Sequence, residues 1–537
     1  MESTSFNLLD EPWIRVRTRD GDLAELSLSA VVAEAHILRD LAGEIPTQDA
    51  AILRLLEAVL LGALRTEERT EDEALDTWNA LWSRGRFDSA LVAPYLEAVR
   101  ARFDLLHPQT PFFQVAGLTT ASGNRSGLTK LIAEVPDGHQ FFTTRAGADL
   151  DSLSLAEAAR WLVHCQAFDP SGIKSGAVGD ERVKGGKGYP FGYPAWSGNL
   201  GLVIAQGSTL FETLLLNLPL TMSGPEDLPA WERQPNGPGA DALHPAPHGP
   251  ADLFTWPSRR LRLFTEGDRV VDVQVSNGDR LPPQNLHPFE PMCAWRYSKA
   301  QSKKGQHVLM PVMHDPSRRI WQGLGPLLHR HLDHKDGKQP AVLEWVATLC
   351  EAAILPEDYS VALRIIGAEY GPQNSTIADV VDDRLAASVV ALTDPVLAQS
   401  ALTAAELAKG GVVALANLAG NLDRASGGEG NAREATFELG YHRLDGLYRA
   451  WLSTLHDPER SLDYLEDWSS RARAVLRRAG DDLVSQAGQV ALVGRTVTLQ
   501  NRTVLLDAGL AQRWFHLALA KTFPSVPSLP SVDQETA

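Results

Sequence analysis

Residues 432–455 have the sequence AREATFELGYHRLDGLYRAWLSTL, in which bulky apolar side chains recur alternately every three and every four positions. These positions are Tyr441, Leu444, Tyr448, Trp451 and Leu455. Because an α-helix has about 3.6 residues per turn, this spacing places all of them on one face. The stretch therefore predicts an amphipathic helix that must pack its apolar stripe against a partner, and the Asp-Pro pair that follows ends it.

The flanking sequence predicts three further helices of the same kind. One runs from Ile377 to Leu422 with a break near residue 394, one from Ser461 to Ala487, and one from Thr503 to Lys521. Four amphipathic helices separated by short breaks favour an antiparallel four-helix bundle, which we assign to residues 376–525. Residues 490–499 have the pattern of an inserted hairpin, and the Pro- and Ser-rich residues 526–537 are predicted to be disordered.

Residues 1–375 mix strand and helix patterns and are predicted to form one large mixed α/β domain. Asp-Gly and Glu-Gly-Asp turns predict hairpins over residues 6–28 and 260–276. Apolar periodicity predicts helices over residues 47–64 and 155–168, and the second begins at a capping-box pair, Ser154 and Glu157. The fold class is therefore α+β, with the mixed domain followed by the helical bundle.

The net charge of −17 argues, taken alone, against a nucleic-acid partner, because phosphate binding requires positive charge. The charge is unevenly distributed, however. Residues 1–160 contain 15 basic and 25 acidic side chains, a net of −10, so most of the excess lies there. Two basic islands occur later, at residues 258–264 and 291–321, and each is either a solvated surface or a local track for phosphates.

Cysteine usage and the apolar runs indicate the compartment. The three cysteines are widely spaced and contain no C-x-x-C pair, so neither a disulfide framework nor a cysteine zinc site is expected. This usage is typical of a reducing cytoplasm, and no signal peptide is predicted. The strongest apolar run, Ala50 to Leu64, is interrupted by Arg54 and Glu57, so no membrane-spanning segment is expected.

Motifs of common enzyme classes are missing from the sequence. It contains no P-loop, no H-E-x-x-H and no G-x-S-x-G. One region combines metal-ligating residue types, namely His287, His307, His314 and Asp315. A metal-dependent hydrolase built on this region therefore stays open as an alternative, as does a pure protein-interaction scaffold.

Three patterns suit contact with nucleic acid. The glycine-rich residues 171–176 can bring backbone amides close to phosphates, although a flexible connector has the same composition. A tight turn carries Gln373 and Asn374, whose amides can bond base edges or insert between base steps, although an ordinary turn also uses such residues. Arg473 and Arg477 share one flank of a predicted helix, where they contact either phosphate or solvent.

The order of features in the chain resembles a known family. The run Phe6–Ile14, FNLLDEPWI, closely resembles the N-terminus of the CasA family, the large subunit of the type I-E CRISPR surveillance complex Cascade. The glycine-rich loop, the L-L-L-N-L segment at residues 214–218, the G-x-x-Y turn at residues 367–370 and the C-terminal helices follow in the family's order. The resemblance therefore covers nearly the whole chain.

The resemblance implies a DNA-recognition subunit without catalysis of its own and without a cofactor. Members of the family recognise a protospacer-adjacent motif in double-stranded DNA from the minor groove and use a glycine loop, a lysine finger and a glutamine wedge. The wedge opens the duplex so that the guide RNA pairs with the target. The implied partners are the DNA target, the guide-RNA 5′ handle, the backbone and small Cascade subunits, and a recruited helicase-nuclease.

The family's functional residues map onto this sequence as follows. The wedge resembles either Gln373 or Asn374, and Arg280 stands where a lysine finger is expected. The resemblance thus implies DNA contacts at Ser171, Gly172, Ile173, Lys174, Ser175, Gly176, Arg280, Gln373 and Asn374. The basic island and the helix flank add Lys299, Lys303, Lys304, Arg473 and Arg477 to the predicted DNA-binding set. The implied guide-RNA and foot contacts are Phe141, Phe142, Thr143, Thr144 and Arg145. The paired zinc-binding cysteines of some relatives are missing, so no metal site carries over.

Overall fold

The computed structural model describes residues 5–66, 69–135, 143, 145, 147–303, 306–328, 337–356, 358–499 and 502–524. The chain divides into two compact units. The first comprises Met1–Ile320, Pro326–Glu357 and Val361–Leu385, and the second comprises Trp321–Gly325, Asp358–Ser360 and Ala386–Ala537. The division into domains at residue 375 stays a prediction, and residues 526–537 lie outside the described residues.

The first unit contains both helices and strands, which confirms the predicted mixed α/β class. Its helices are α1 (Leu28–Glu34), α2 (Pro46–Leu64), α3 (Glu71–Arg84), α4 (Ser89–Val99), α5 (Ala148–Asp151), α6 (Leu155–Phe168), α7 (Leu210–Leu216), α8 (Pro250–Phe254) and α9 (Ala341–Glu351). The Ser154 half of the predicted capping box of α6 is confirmed, since Ser154 Oγ accepts a hydrogen bond from Glu157 N at 3.1 Å, while the Glu157 carboxylate pairs with Arg145.

The strands of the first unit form several small sheets. They are β1 (Ile14–Thr18), β2 (Leu23–Leu26), β3 (Leu38–Leu41), β4 (Leu153–Ser154), β5 (Lys174–Ser175), β6 (Lys187–Gly188), β7 (Leu202–Gln206), β8 (Arg259–Glu266), β9 (Arg269–Asn277), β10 (Trp295–Tyr297), β11 (Leu309–Pro311), β12 (Gly337–Lys338), β13 (Ser360–Tyr370) and β14 (Ile377–Ser388). The strand orders are β2-β1-β3, β4-β9-β8, β14-β13-β7, β11-β10-β12 and β5-β6. Both predicted hairpins are confirmed as β1-β2 and β8-β9.

Helix α2 is the central buried helix of the first unit. It contains the two charged residues that interrupt the strongest apolar run, and both are buried, Arg54 at 1% exposure and Glu57 at 0%. Arg54 Nη1 and Nη2 donate to the two carboxylate oxygens of Glu290 at 2.9 and 2.7 Å. The same carboxylate accepts a hydrogen bond from Trp196 Nε1 at 3.0 Å, so a buried ion pair ties α2 to the segment around residue 196.

The predicted helix from Ile377 to Leu422 is wrong over its first part. Ile377–Ser388 form strand β14, which pairs with β13. The buried residues Ile377, Val381 and Leu385 are four positions apart, a spacing that suits one face of a helix and also one face of a strand. Pairing with β13 decides between the two periodicities, and a helix begins only beyond this strand.

The second unit is largely helical. Its elements are α10 (Val389–Thr393), α11 (Pro395–Ser426), α12 (Ala432–Leu452), α13 (Ser461–Ser485), α14 (Gln489–Val493), β15 (Arg495–Leu499), β16 (Arg502–Leu506) and α15 (Ala508–Thr522). Helix α11 contacts α12, α13 and α15, and α13 also contacts α12 and α15. The hairpin predicted over residues 490–499 is displaced, because Gln489–Val493 are helical and the hairpin spans Arg495–Leu506.

The apolar stripe quoted above forms much of the second unit's core. Leu444, Tyr448, Trp451 and Leu455 are at most 1% exposed, although the helix ends at Leu452 and Leu455 lies beyond it. Trp321 stacks on Tyr448 with ring centroids 4.5 Å apart, and Trp468 lies 5.2 Å from Tyr448. Burying these aromatic rings accounts for much of the hydrophobic stabilisation of this unit.

Within the described chain, α11 is long and apolar enough to cross a bilayer by length and composition alone. Half of its most apolar window is buried inside the protein. Since its buried residues contact three other helices, α11 has the features of a core helix.

Replacing Gly480 with alanine is expected to lower the free energy of unfolding of the second unit by about 1–3 kcal/mol, because overpacking displaces neighbouring groups. A Cβ atom there would lie 2.1 Å from Phe515 Cε1. Gly446 is the matched control: it also lies within a helix, and nothing is within 4 Å of its Cβ position. Gly446→Ala should instead stabilise by about 0.5–1 kcal/mol. Urea denaturation of both variants checks the result, and equal midpoints would contradict it.

Candidate nucleic-acid interface

The glycine loop, residues 171–176, connects α6 to β5 and requires glycine at two positions for different reasons. Gly172 has φ +141°, a backbone conformation that other residues rarely adopt. Gly176 packs so closely that a Cβ atom would lie 2.5 Å from Val183 Cγ1 and 2.8 Å from the Gly186 backbone. Ile173 lies between them with 59% of its surface exposed. The loop is thus built to hold one defined shape with an exposed tip.

A buried carboxylate anchors the glycine loop. Asp169 Oδ2 lies 2.5 Å from both Lys174 Nζ and Arg259 Nε. Burial alone would raise the pKa of the Asp169 carboxyl, but the two cations outweigh it and hold this pKa below its ordinary value. Lys174, predicted from the sequence as a DNA contact, is only 12% exposed in its side chain, and its charge is paired with Asp169 within the protein.

The turn after β13 presents the two candidate wedge residues differently. Gln373 and Asn374 both have left-handed backbone conformations, with φ of 59° and 54°. Asn374 Nδ2 donates to the carbonyl oxygen of Gly192 at 3.1 Å. The exposed Gln373 amide makes no hydrogen bond with any described part of the chain. Asn374 therefore holds the turn, whereas the amide of Gln373 is exposed to solvent.

Arg280, the residue in place of a lysine finger, is exposed and stands beside Tyr193. Its Nε donates to Tyr193 Oη at 2.6 Å, and its guanidinium carbon lies 5.7 Å from the Tyr193 ring centroid. Burial raises the pKa of the Tyr193 hydroxyl, whereas the hydrogen bond and positive charge of Arg280 partly offset that rise. Tyr193 thus holds the arginine in place at the protein surface.

The segment Tyr189–Pro194, YPFGYP, connects these parts and was missed by the sequence reasoning. It accepts hydrogen bonds from Asn374 at Gly192, and from Asn277 Nδ2 at the Tyr189 carbonyl oxygen, 2.8 Å away. Its alternation of aromatic, proline and glycine residues is a signal that could have identified it. The glycine loop also meets the turn, because residues 171–174 and 375–377 line one cavity of about 300 Å³.

The other predicted DNA contacts belong to other elements of the chain. Lys299 and Lys303 are exposed in the loop between β10 and β11, and Lys304 lies outside the described residues. Arg473 and Arg477 belong to the second unit, where they line a groove of about 550 Å³ with Arg478, Asp481 and Phe523 among its other residues. Within the first unit, the structure brings together the glycine loop, Arg280 and the Gln373 turn.

The prediction that the basic island at residues 258–264 lies on the surface is wrong. Arg259 and Arg260 are 4% and 1% exposed. Arg260 Nη2 lies 2.8 Å from Asp279 Oδ1, and Arg259 pairs with Asp169 as described above. Both arginines point inward from β8 because each has a buried carboxylate partner far along the chain, which composition does not reveal.

The predicted guide-RNA contacts are described only in part. Phe141, Phe142 and Thr144 lie outside the described residues. Arg145 is 16% exposed in its side chain, and its guanidinium lies 2.7 Å from Glu134 Oε2 and 2.5 Å from Glu157 Oε1. Its charge is therefore neutralised by two carboxylates of the same chain, and Thr143 Oγ1 accepts a hydrogen bond from its backbone N–H.

The hydrolase alternative finds no support in the described structure. His314 is half-buried and its Nε2 lies 3.0 Å from the Leu202 carbonyl oxygen, while Asp315 pairs with Arg318. Burial lowers the pKa of the His314 imidazole. Within the described ranges, a different group of possible metal ligands is close together. The ligand atoms of His244, His248 and Asp252 all lie within 4.8 Å of one another.

The His244 cluster is held by one short contact to the Asp252 carboxylate and by an arginine that balances its charge. His244 Nε2 lies 2.7 Å from Asp252 Oδ2, a hydrogen-bond distance. Arg233 Nη2 lies 3.3 Å from the other oxygen of the same carboxylate. Because a guanidinium already balances the one carboxylate, these contacts explain the cluster as a structural support of α8.

Comparison with known proteins gives a consistent family. The family model for CRISPR-associated protein Cse1 matches residues 7–479. The curated CRISPR-associated protein CasA/Cse1 of Thermus thermophilus is 30% identical over 506 residues, which cover 87% of this chain and 92% of the relative.

Solved structures agree with that result. The crystal structure of Thermobifida fusca Cse1 is 42% identical, with a TM-score of 0.88 and coverage of 97% of this chain and 98% of that one. A chain of a CRISPR RNA-guided surveillance complex has a TM-score of 0.62 at 21% identity and covers 89% of this chain and 99% of that one. The second similarity concerns the fold alone.

Proposed function

The chain belongs to the Cse1/CasA family of CRISPR-associated proteins, and we propose that it is a subunit of an RNA-guided surveillance complex. In this proposal the subunit recognises a protospacer-adjacent motif in double-stranded DNA from the minor groove. It then helps to open the duplex, so that the guide RNA pairs with the target strand. The subunit has no catalytic role of its own and works in the cytoplasm.

One observation carries the assignment of the site: the turn after β13 is held through Asn374 and leaves the Gln373 amide exposed, with no hydrogen-bond partner among the described residues. The backbone of a wedge residue must be held rigidly by neighbouring groups, while its own polar side-chain atoms stay free to contact bases. We therefore assign Gln373 as the wedge and Asn374 as the residue that positions it. Either neighbour fits the sequence, and the hydrogen bond to Gly192 favours this division of roles.

The neighbouring groups suit the remaining parts of a minor-groove site. Gly172 and Ile173 present an exposed backbone tip that suits close approach to phosphates and the groove edge. Arg280, held by Tyr193, supplies a charged donor that can enter a narrow minor groove. In this proposal Lys174 stabilises the shape of the loop, because its charge is paired with Asp169.

Further roles complete the proposal. Residues 141–145 contact the guide-RNA 5′ handle, and other Cascade subunits and a helicase-nuclease bind elsewhere on the chain. Residues 376–525 act as an antiparallel four-helix bundle domain, for which the mutual contacts of α11, α12, α13 and α15 are the support. Lys299, Lys303, Lys304, Arg473 and Arg477 contribute phosphate contacts that add affinity without sequence preference.

The wedge assignment is tested with Gln373→Ala in the reconstituted complex with guide RNA. Opening of the duplex beside the motif, followed by a fluorescent base analogue, should fall about tenfold or more, because unstacking a base step costs a few kcal/mol. Binding to single-stranded target should be kept. Asn374→Ala should reduce opening less, since the wedge residue itself remains.

Gln109→Ala is a matched control, because Gln109 is also exposed and its side chain makes no hydrogen bond with the described residues. It should open the duplex like the unmodified chain. Normal opening by Gln373→Ala would refute the wedge and favour the scaffold alternative. Co-purification of the chain with guide RNA and other subunits tests membership of the complex separately.

A further inference from the structure

An open cleft of about 1300 Å³ in the first unit is lined by more arginines than any other residue type. They are Arg15, Arg17, Arg19, Arg39, Arg364 and Arg384. In this arginine cleft, four of the arginines belong to residues 1–160, which have a net charge of −10 and where no basic surface is expected. None of the residues named above for DNA or guide RNA lines it.

Two of the acidic side chains in the lining are neutralised within the protein. Asp49 Oδ2 lies 3.0 Å from Nη2 of the buried Arg364. Glu44 Oε1 lies 2.7 Å from Nη2 of Arg160, which is 5% exposed in its side chain. Because each of these carboxylates is paired with a buried arginine, it contributes little negative potential to the cleft.

Three arginines of the cleft stay available. Arg17, Arg19 and Arg39 are exposed, and none makes an ion pair with any residue in the described ranges. Asp40, opposite Arg17 on the paired strand, instead accepts a hydrogen bond from Gln206 Nε2 at 3.1 Å. Arg39 precedes Asp40 on β3, at a shift in the register of the β1-β3 pairing, and both arginines line the cleft.

The chemistry of the lining indicates what kind of ligand fits. Guanidinium groups bind phosphate oxygens with two parallel hydrogen bonds, which suits several arginines along one opening. None of the described lining residues is aromatic, so stacking platforms for bases are missing. The cleft therefore suits a sugar-phosphate backbone and carries no means of recognising bases.

We propose that the arginine cleft binds the phosphate backbone of nucleic acid, as a second contact apart from the Gln373 turn. The common chemistry is a row of phosphates, which either the guide RNA or the DNA target supplies. This inference does not rest on the wedge, because none of its residues takes part in the turn or the glycine loop.

The test replaces the available charges with Arg17→Gln, Arg19→Gln and Arg39→Gln in the full chain. Fluorescence anisotropy measures binding to an oligouridylate RNA and to a mixed-sequence DNA duplex over a range of salt concentrations. Each lost phosphate contact should reduce the slope of log affinity against log salt by about 0.7 on single strands or 0.9 on duplex. We expect the slope to fall by about 2 on the RNA and by about 3 on the duplex, and binding at low salt to weaken at least about tenfold.

Arg86→Gln, Arg443→Gln and Arg513→Gln are the matched control, since these arginines are exposed, lie outside the cleft and change the net charge equally. A second variant with lysine at positions 17, 19 and 39 should keep most of the slope, which separates loss of charge from misfolding.

Loss confined to RNA or to DNA supports the proposal and identifies the source of the phosphates. Unchanged slopes for both probes in the glutamine variant, or a loss no larger than in the control, would overturn it. So would a selective loss of binding to polyglutamate, because the cleft would then be a site for an acidic protein. Opening of the duplex by the reconstituted complex reports on Gln373 in the same variants, so the two hypotheses fail separately.

Discussion

Arg54→Met is expected to lower the free energy of unfolding of the first unit by about 3–5 kcal/mol. The substitution keeps most of the side-chain volume but leaves Glu290, which is 1% exposed, without its cation. A buried carboxylate with no partner carries a large desolvation cost. Urea denaturation followed by tryptophan fluorescence measures the change.

The expected loss comes from the uncompensated charge, and a second variant shows this. Adding Glu290→Gln removes the charge and keeps an acceptor for Trp196 Nε1. The double variant should therefore recover a large part of the lost stability. Glu57 lies in the same buried region, and burial raises the pKa of its carboxyl well above the ordinary value.

Arg84→Met is the surface control for that experiment. Arg84 pairs with Asp88 on the surface, with side chains 50% and 33% exposed, and such pairs contribute about 0–1 kcal/mol. A loss for Arg54→Met no larger than for Arg84→Met would contradict the importance of the buried pair. So would a double variant that is less stable than the single one.

Asp169→Asn is expected to cost a similar amount, about 3–5 kcal/mol, and to loosen the glycine loop as well. The neutral side chain would leave Lys174 and Arg259 buried together without their shared counter-charge. Hydrogen exchange at residues 171–176 should rise along with the loss of stability. Asp315→Asn, which disturbs an exposed pair with Arg318, is the control and should change either measurement little.

The same residue predicts a dependence on pH with a definite sign. The pKa of the Asp169 carboxyl is lower in the folded protein than in the unfolded chain. Its contribution is therefore fully present above the unfolded value, about 4, and is lost as the pH falls through the folded pKa. The stability difference between the unmodified chain and Asp169→Asn should shrink as the solution is acidified below about pH 4. A constant difference would show that the carboxylate is not the origin.

Parts of the fold follow from local sequence patterns. The stripe from Tyr441 to Leu455 predicts the buried face of α12, and the Asp-Gly and Glu-Gly-Asp turns predict the hairpins of β1 and β8. In each case the deciding residues lie within a few positions of one another. Steric limits at a turn, or the 3.6-residue period of a helix, then suffice to fix the local structure.

The limits of such reasoning are visible at β14. Ile377, Val381 and Leu385 fit one face of a helix as well as one face of a strand, so their spacing alone does not choose. The candidate site shows the same limit. The resemblance to CasA proteins, which the family match confirms, selects the glycine loop and the turn at residue 373. It leaves Gln373 and Asn374 equivalent.

By itself, the sequence determined the family, the mixed α/β class and the positions of the loop and turn that form the candidate site. Only the tertiary structure decided which charges are available. Buried carboxylates form ion pairs with Lys174, Arg259 and Arg260. An open cleft is instead lined by Arg17, Arg19 and Arg39. The reason is that many such partners lie far apart along the chain: Arg54 and Glu290 are separated by 236 positions, and Asn374 and Gly192 by 182. Electrostatic and hydrogen-bond energies depend on distance in space, which local spacing does not encode.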